Sequence, residues 1–192
     1  TFIHPDYTDS NENKHIQRFI GTKLSKSDYA KLVEIVRQEG MYAMCTPFDE
    51  ESVRLILEMG FDAIKVASCS VTDYPLLETI CNAGLPIVAS TGGASIVEIE
   101  RMVHILSSNN AELALEHCVS IYPTPQEKMQ LNQIVQLKDH FRGIPIGWST
   151  HESPDDLTTV QLAVAKGATL FERHVGIQTD EYKLNDYLYP PK

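Results

Sequence analysis

Long apolar runs are missing from this 192-residue sequence. No stretch approaches the roughly 20 apolar residues that a membrane-spanning helix needs, and no signal-peptide pattern opens it. Positive charge is scarce as well: 16 Lys and Arg stand against 26 Asp and Glu, a net charge of −10. That balance argues against nucleic acid and anionic membrane as partners. It also means that any anionic substrate must be received by a local positive site. Cysteine is limited to Cys45, Cys69, Cys81 and Cys118, with no CxxC pair. Three of the four fall in apolar strand-like runs, as small buried side chains do. A reduced, cytoplasmic setting is therefore expected rather than a disulfide framework. No shift in composition divides the chain. With 43% hydrophobic and 22% charged residues, 1–192 reads as one domain with one sizeable core.

What is present is a repeating βα pattern. Six apolar, β-branched runs at 41–48, 63–68, 86–91, 113–120, 145–150 and 169–175 alternate with amphipathic stretches. The runs are nearly all apolar rather than alternating, as parallel strands buried on both faces require. Capping-box spacings at Ser25/Asp28, Ser95/Glu98 and Ser153/Asp156 mark helix starts, with Pro154 suited to a first helical position. Gly60, Gly84 and Gly167 fall where helices should stop. Residues 1–22 lack clear periodicity and read as an extended loop.

Polar residues follow every strand: Thr46, Lys65 with Ser68, Ser90 with Thr91, Ser120 with Tyr122, Ser149 with His151, and His174. A closed (β/α)8 TIM barrel draws its site from the carboxyl ends of most strands, whereas an open doubly wound sheet uses one switch point. The distribution favours the barrel. Six units do not close eight strands, and the sequence starts at Thr1. The expectation is a barrel lacking its first two βα units, with its gap between the strand near Met41 and the one ending near Val175.

Two features carry chemistry. His151 and His174 end neighbouring strands one βα unit apart. Parallel strands lie ~4.8 Å apart, so two such imidazoles can share one metal ion. A single strand-end histidine is more often a packing residue; the pair is what raises the metal reading. Lys65 sits on a strand between Ile64 and Val66 and offers a cation for an anion. Lys65 and Ser68 have opposite strand parity, so both reach one site only if the strand ends near Ala67. Ser90-Thr91-Gly92-Gly93 then leads into a helix capped at Ser95, a pattern that can receive an anion on free N–H groups. Glu172 shares a strand face with His174, as a hydrogen-bond partner of that histidine or as part of an ion pair inside the barrel. His104, His117 and His140 read as helix-surface or packing residues.

The runs TPFDEESV (46–53), IKVASCSVTDYPLLETI (64–80), IVASTGGASIVEIE (87–100), HCVSIYPTP (117–125), IGWSTHESP (146–154) and FERHVG (171–176) together resemble the sialic acid synthase (N-acetylneuraminate synthase) family. Its members condense phosphoenolpyruvate with an N-acetylhexosamine to form nonulosonic acids and release phosphate. The resemblance implies a catalytic (β/α)8 barrel, here without the family's small carboxyl-terminal antifreeze-like domain. It implies that Thr46, Lys65, Ser68, Ser90, Ser120 and Ser149 line a phosphoenolpyruvate pocket. It further implies that His151 and His174 hold a divalent metal, manganese above all, with magnesium or cobalt as alternatives. Tyr122 and Asp186 match sugar-side positions, with the Asp186 loop folding over the carboxyl-terminal face. A homodimer is expected of the full-length protein. At Ser70, Ser120 and Thr150 the chain departs from the common family pattern, which there has an acidic residue, asparagine and aspartate respectively. Two other readings compete: a Schiff-base aldolase with Lys65 as nucleophile, and a non-catalytic barrel serving as a binding module.

Overall fold

The computed structural model describes residues 14–180 together with Lys183, Leu184 and Leu188. The contacts divide it into two units, Thr1–Ala43 and Met44–Lys192, each considered by itself. The first holds α1 (Lys14–Gly21) and α2 (Lys26–Gln38). Ser25 caps α2 by the expected capping box with Asp28. The extended loop expected over 1–22 is corrected where it is described: 14–21 is helical, and Ile16 and Ile20 supply one apolar i, i+4 pair too short to stand out as a period.

The second unit is a βα array. Its strands are β1 (Met44–Cys45), β2 (Ala63–Val66), β3 (Ile87–Ser90), β4 (Leu113–Cys118), β5 (Ile146–Ser149) and β6 (Leu170–Glu172). Helices α3 (Glu50–Met59), α4 (Tyr74–Cys81), α5 (Ile96–Leu106), α6 (Asn132–His140) and α7 (Leu157–Ala165) connect them in turn. All strands are parallel, and their order in the sheet is their order in the chain. A doubly wound sheet would reverse direction at a switch point; this one does not. β1 is shorter than the run 41–48, and at its carboxyl end Pro47 has no N–H to extend the ladder.

The register sorts each strand into two faces. Ile64, Ile87, Ala89, Leu115, Ile146 and Trp148 pack with Ile56, Leu76, Ile80, Met102, Leu106 and Ile134 of the helices in one buried cluster. The opposite parity carries Lys65, Ser90, Glu116, Gly147, Ser149 and Glu172. Lys65 Nζ lies 3.1 Å from Glu172 Oε2, although β2 and β6 are four places apart in the sheet. In a flat sheet those strands would stand ~19 Å apart, beyond the reach of the two side chains. The sheet therefore curls, with its polar face inside and its helices outside. β1 and β6 are its two edges.

Helix ends follow local chemistry. Gly60 ends α3 at φ 75°, a left-handed conformation that glycine adopts without steric cost. Ser95 caps α5 as expected. The start expected at Ser153 is corrected. α7 is capped by Asp156, whose carboxylate accepts from Thr159 N at 3.2 Å and from its hydroxyl at 2.6 Å, and Pro154 lies in the preceding turn. A carboxylate next to the first apolar helical residue is the stronger acceptor for orphan N–H groups.

Candidate active site

The carboxyl ends of β1 to β6 surround a cavity of about 440 Å³. Every site residue expected from the sequence and described in the structure lines it: Thr46, Lys65, Ser68, Ser90, Ser120, Tyr122, Ser149, His151 and His174. Asp186 lies outside the described residues, so its loop is not located here. The parity conflict between Lys65 and Ser68 resolves as required. β2 ends at Val66, and a 3-10 turn over Ser68–Ser70 swings Ser68 inward.

Lys65 is the centre of the polar interior. Its ammonium donates to Ser90 Oγ at 2.6 Å and lies 3.4 Å from Glu116 Oε2 and 3.1 Å from Glu172 Oε2. Ser149 donates to Glu172 Oε2 at 2.7 Å. Of the two roles open to Glu172, the ion pair with Lys65 is formed, and His174 is also near enough to favour its charge. Burial works against its charge, but Lys65 and the Ser149 hydroxyl prevail and hold its carboxyl below the usual carboxylate range. Glu116 goes the other way: burial pushes it up to about 7 against the pull of Lys65, and Glu172 adds repulsion. Of the two carboxylates, Glu116 is the one that holds its proton more tightly.

Sequence reasoning missed Glu116. The signal was available, an acid inside the apolar run LALEHC with the inward parity of Cys118 and Ser120. Gly147 makes room for it, since a Cβ there would stand 3.0 Å from Glu116 Cγ and 2.9 Å from Leu170 Cβ. Gly92 is a close approach beside the cavity. Its N–H donates to Ser68 Oγ at 3.0 Å, and a Cβ would lie 2.9 Å from that oxygen and 3.0 Å from Ser120 Oγ. The loops after β2, β3 and β4 meet at this glycine. At the amino terminus of α5 the Ser95–Glu98 capping box takes up the N–H groups of those two residues, while Lys65 and the serine hydroxyls face the cavity itself.

The two histidines converge. Their ring centres are 5.1 Å apart. Two imidazoles bound at ~2.1 Å to one ion, at angles of roughly 90–110°, have centres ~4.5–5.2 Å apart, so the pair fits two positions of one metal. His151 is buried, with Nδ1 3.2 Å from the Val119 carbonyl. A proton donated there leaves Nε2 with the lone pair that a metal takes. Burial lowers the His151 pKa, the Val119 carbonyl opposes that, and His174 lowers it further. Among the described residues no third His, Cys, Asp or Glu completes a cluster. Tyr122 packs against His151 with ring centres 4.2 Å apart and planes inclined at 55°, forming a wall of the cavity. His104 is exposed on α5, His117 is buried with Nε2 2.9 Å from Met129 O, and His140 pairs with Glu100. None of these three lines the cavity. No described helix is long and apolar enough to cross a membrane.

Comparison with known proteins agrees with this geometry. The model of the NeuB family matches residues 3–187. The chain is 31% identical over 170 residues to an N,N′-diacetyllegionaminic acid synthase of Campylobacter jejuni, covering 87% of this chain and 50% of that one. Among solved structures, a Chromobacterium violaceum protein provisionally assigned to spore coat polysaccharide biosynthesis superposes with a TM-score of 0.94 at 45% identity, over 99% of this chain and 56% of the other. An N-acetylneuraminic acid synthetase of Leptospira borgpetersenii, in complex with citrate, superposes with a TM-score of 0.80 at 31% identity, over 90% and 60%. The chain spans about half the length of the curated relatives it matches.

Proposed function

Because the chain belongs to the NeuB family, we propose that its cavity belongs to a synthase that condenses phosphoenolpyruvate with an N-acetylhexosamine, of the N-acetylmannosamine kind, to a sialic or related nonulosonic acid. The observation that carries this reading is the convergence of Lys65, the serine hydroxyls of four strand ends and two histidines on one cavity of about 440 Å³. A phosphate and a carboxylate need a cation and hydroxyl donors, and a sugar aldehyde needs an electrophilic partner. The same proposal takes the curled sheet as six strands of a (β/α)8 barrel whose first two βα units lie outside this chain.

In this reaction C3 of phosphoenolpyruvate attacks the aldehyde carbon of the open-chain sugar. A carbon–carbon bond forms, and the aldehyde oxygen takes a proton to become a hydroxyl. Water adds to the cationic C2 and releases a proton. The resulting hemiketal phosphate breaks its C–O bond to phosphate, leaving the keto acid. Lys65, Ser90 and Ser149 orient the anionic substrate and steady the departing phosphate. His151 and His174 would hold a divalent ion, manganese by preference, which supplies Lewis-acid polarisation of the aldehyde.

The Schiff-base reading loses support from the surroundings of Lys65. Its ammonium is held between Glu116 and Glu172, the opposite of the apolar enclosure that frees an amine for attack. The protein, given phosphoenolpyruvate, N-acetylmannosamine and Mn2+, should release phosphate only when both substrates are present. Lys65→Ala should cut the rate at least a hundredfold while sparing Mn2+ binding. Phosphate release that ignores the sugar would end the proposal.

A further inference from the structure

The condensation as written leaves one buried group unused. Glu116 lies on β4, the strand that sits between Lys65 of β2 and Glu172 of β6 around the curl. Its side chain is only 3% exposed, and the missing side chain of Gly147 is the space it occupies. The interior thus provides for a second carboxylate on Lys65, although Glu172 already pairs with that ammonium.

The charge count makes this arrangement consequential. One ammonium and two carboxylates leave the trio at −1 when all are ionised. An anion arriving at Lys65 must share the same nitrogen with both carboxylates. Like charges crowded into one site drive one of them to its neutral form. The two acids are not equivalent. Glu172 is 38% exposed and accepts a hydrogen bond from Ser149 at 2.7 Å, which favours its charge. Glu116 is enclosed and has from Ser90 only a 3.5 Å contact. The titratable groups around it are Lys65 from β2, Glu172 from β6 and Cys118 on its own strand; β3 and β5 present Ser90, Gly147 and Ser149. Burial already brings its proton within reach of neutral pH, at about 7.

We infer that Glu116 takes up one proton when an anion docks on Lys65, exchanging its own charge for that of the ligand. The inference rests on the proposed synthase reading only in naming phosphoenolpyruvate as the anion. Glu116 is then a positioning residue: ionised, it holds the ammonium in place in the empty site, and protonated, it releases the ammonium to the substrate.

Calorimetric titration with phosphoenolpyruvate at pH 8, in buffers of different ionisation enthalpy, counts the protons. A phosphomonoester is already ionised there, its second pKa being ~6, so uptake reports on the protein. Between about half a proton and one proton should enter per anion bound, and affinity should weaken by up to about tenfold per unit as pH rises from 7 to 9. In Glu116→Gln the uptake should fall to near zero and the affinity should become flat with pH, equal to or tighter than wild type at pH 8. A merely structural Glu116 would give weaker binding at every pH with an unchanged proton count. Binding without uptake in the wild type, or uptake that persists in the variant, overturns the inference and leaves the synthase reading standing. Inorganic phosphate serves as second probe. If it alone binds, with uptake that Glu116→Gln removes, the inference holds and phosphoenolpyruvate is the wrong anion. If neither probe binds, both fall.

Discussion

Glu152 and Arg173 form an ion pair one residue beyond His151 and one residue before His174. Their side chains are 1% and 19% exposed, so the pair ties the end of β5 to the end of β6 with its carboxylate shielded from water. The histidine spacing of 5.1 Å is set between two strands that this pair joins.

Removing one partner of a buried pair strands the other charge, which costs more than the pair itself contributes. Glu152→Ala should lower the unfolding free energy by about 3 kcal/mol. The double variant Glu152→Leu with Arg173→Leu should recover most of that loss. Urea unfolding followed by circular dichroism measures both; a single variant as stable as wild type would mean that the pair is hydrated.

Gly92→Ala tests the meeting of three loops. The new Cβ would come within 3.0 Å of the Ser68 and Ser120 hydroxyls, and within 3.1 Å of the Cys118 carbonyl, which cannot rotate away. Phosphoenolpyruvate affinity should drop roughly tenfold, the effect of losing one well-placed hydrogen bond, while the thermal midpoint shifts by only a few degrees. Calorimetry and a melting curve on the same sample separate the two effects.

Stability should depend on pH through Glu116. Its carboxyl binds its proton more tightly in the folded state, at about 7 against a usual 4.5. That contribution is fully present below pH 4.5 and is lost as pH rises through 7. Glu116→Gln cannot ionise, so it should be more stable than wild type by about 3 kcal/mol at pH 8, with the gap closing at pH 4.5. His117 acts with the opposite sign. Burial lowers its pKa against the pull of the Met129 carbonyl, so its contribution is present above 6.5 and lost as pH falls. Urea midpoints of wild type and Glu116→Gln at the two pH values decide the matter.

Much of this is legible in the sequence. The six strands announce themselves because buried parallel strands are apolar throughout, and the chemistry-bearing residues stand at their ends because a barrel collects its site there. Lys65 was visible as a cation in apolar company. Glu116 was equally visible in kind, but its meaning depends on Lys65 and Glu172, each two strands away from it and four from one another, and only the curl brings the three together. Gly92 stands out in the sequence only as part of the loop expected to receive an anion, and Gly147 does not stand out, since the atoms that exclude a side chain at both come from distant segments. The start of α7 was misplaced by three residues because Ser153 and Asp156 are both good caps, and the choice lies in the turn between them.

An isotope measures most directly whether the cavity condenses phosphoenolpyruvate with a sugar by breaking the C–O bond to phosphate. Phosphoenolpyruvate labelled with oxygen-18 at the bridging position, incubated with the protein, Mn2+ and N-acetylmannosamine, should deliver the label into the released phosphate, with a nine-carbon keto acid formed in equal amount. Label retained in pyruvate or in the sugar product would mean cleavage of the P–O bond, the chemistry of a phosphatase or phosphotransferase, and would contradict the account.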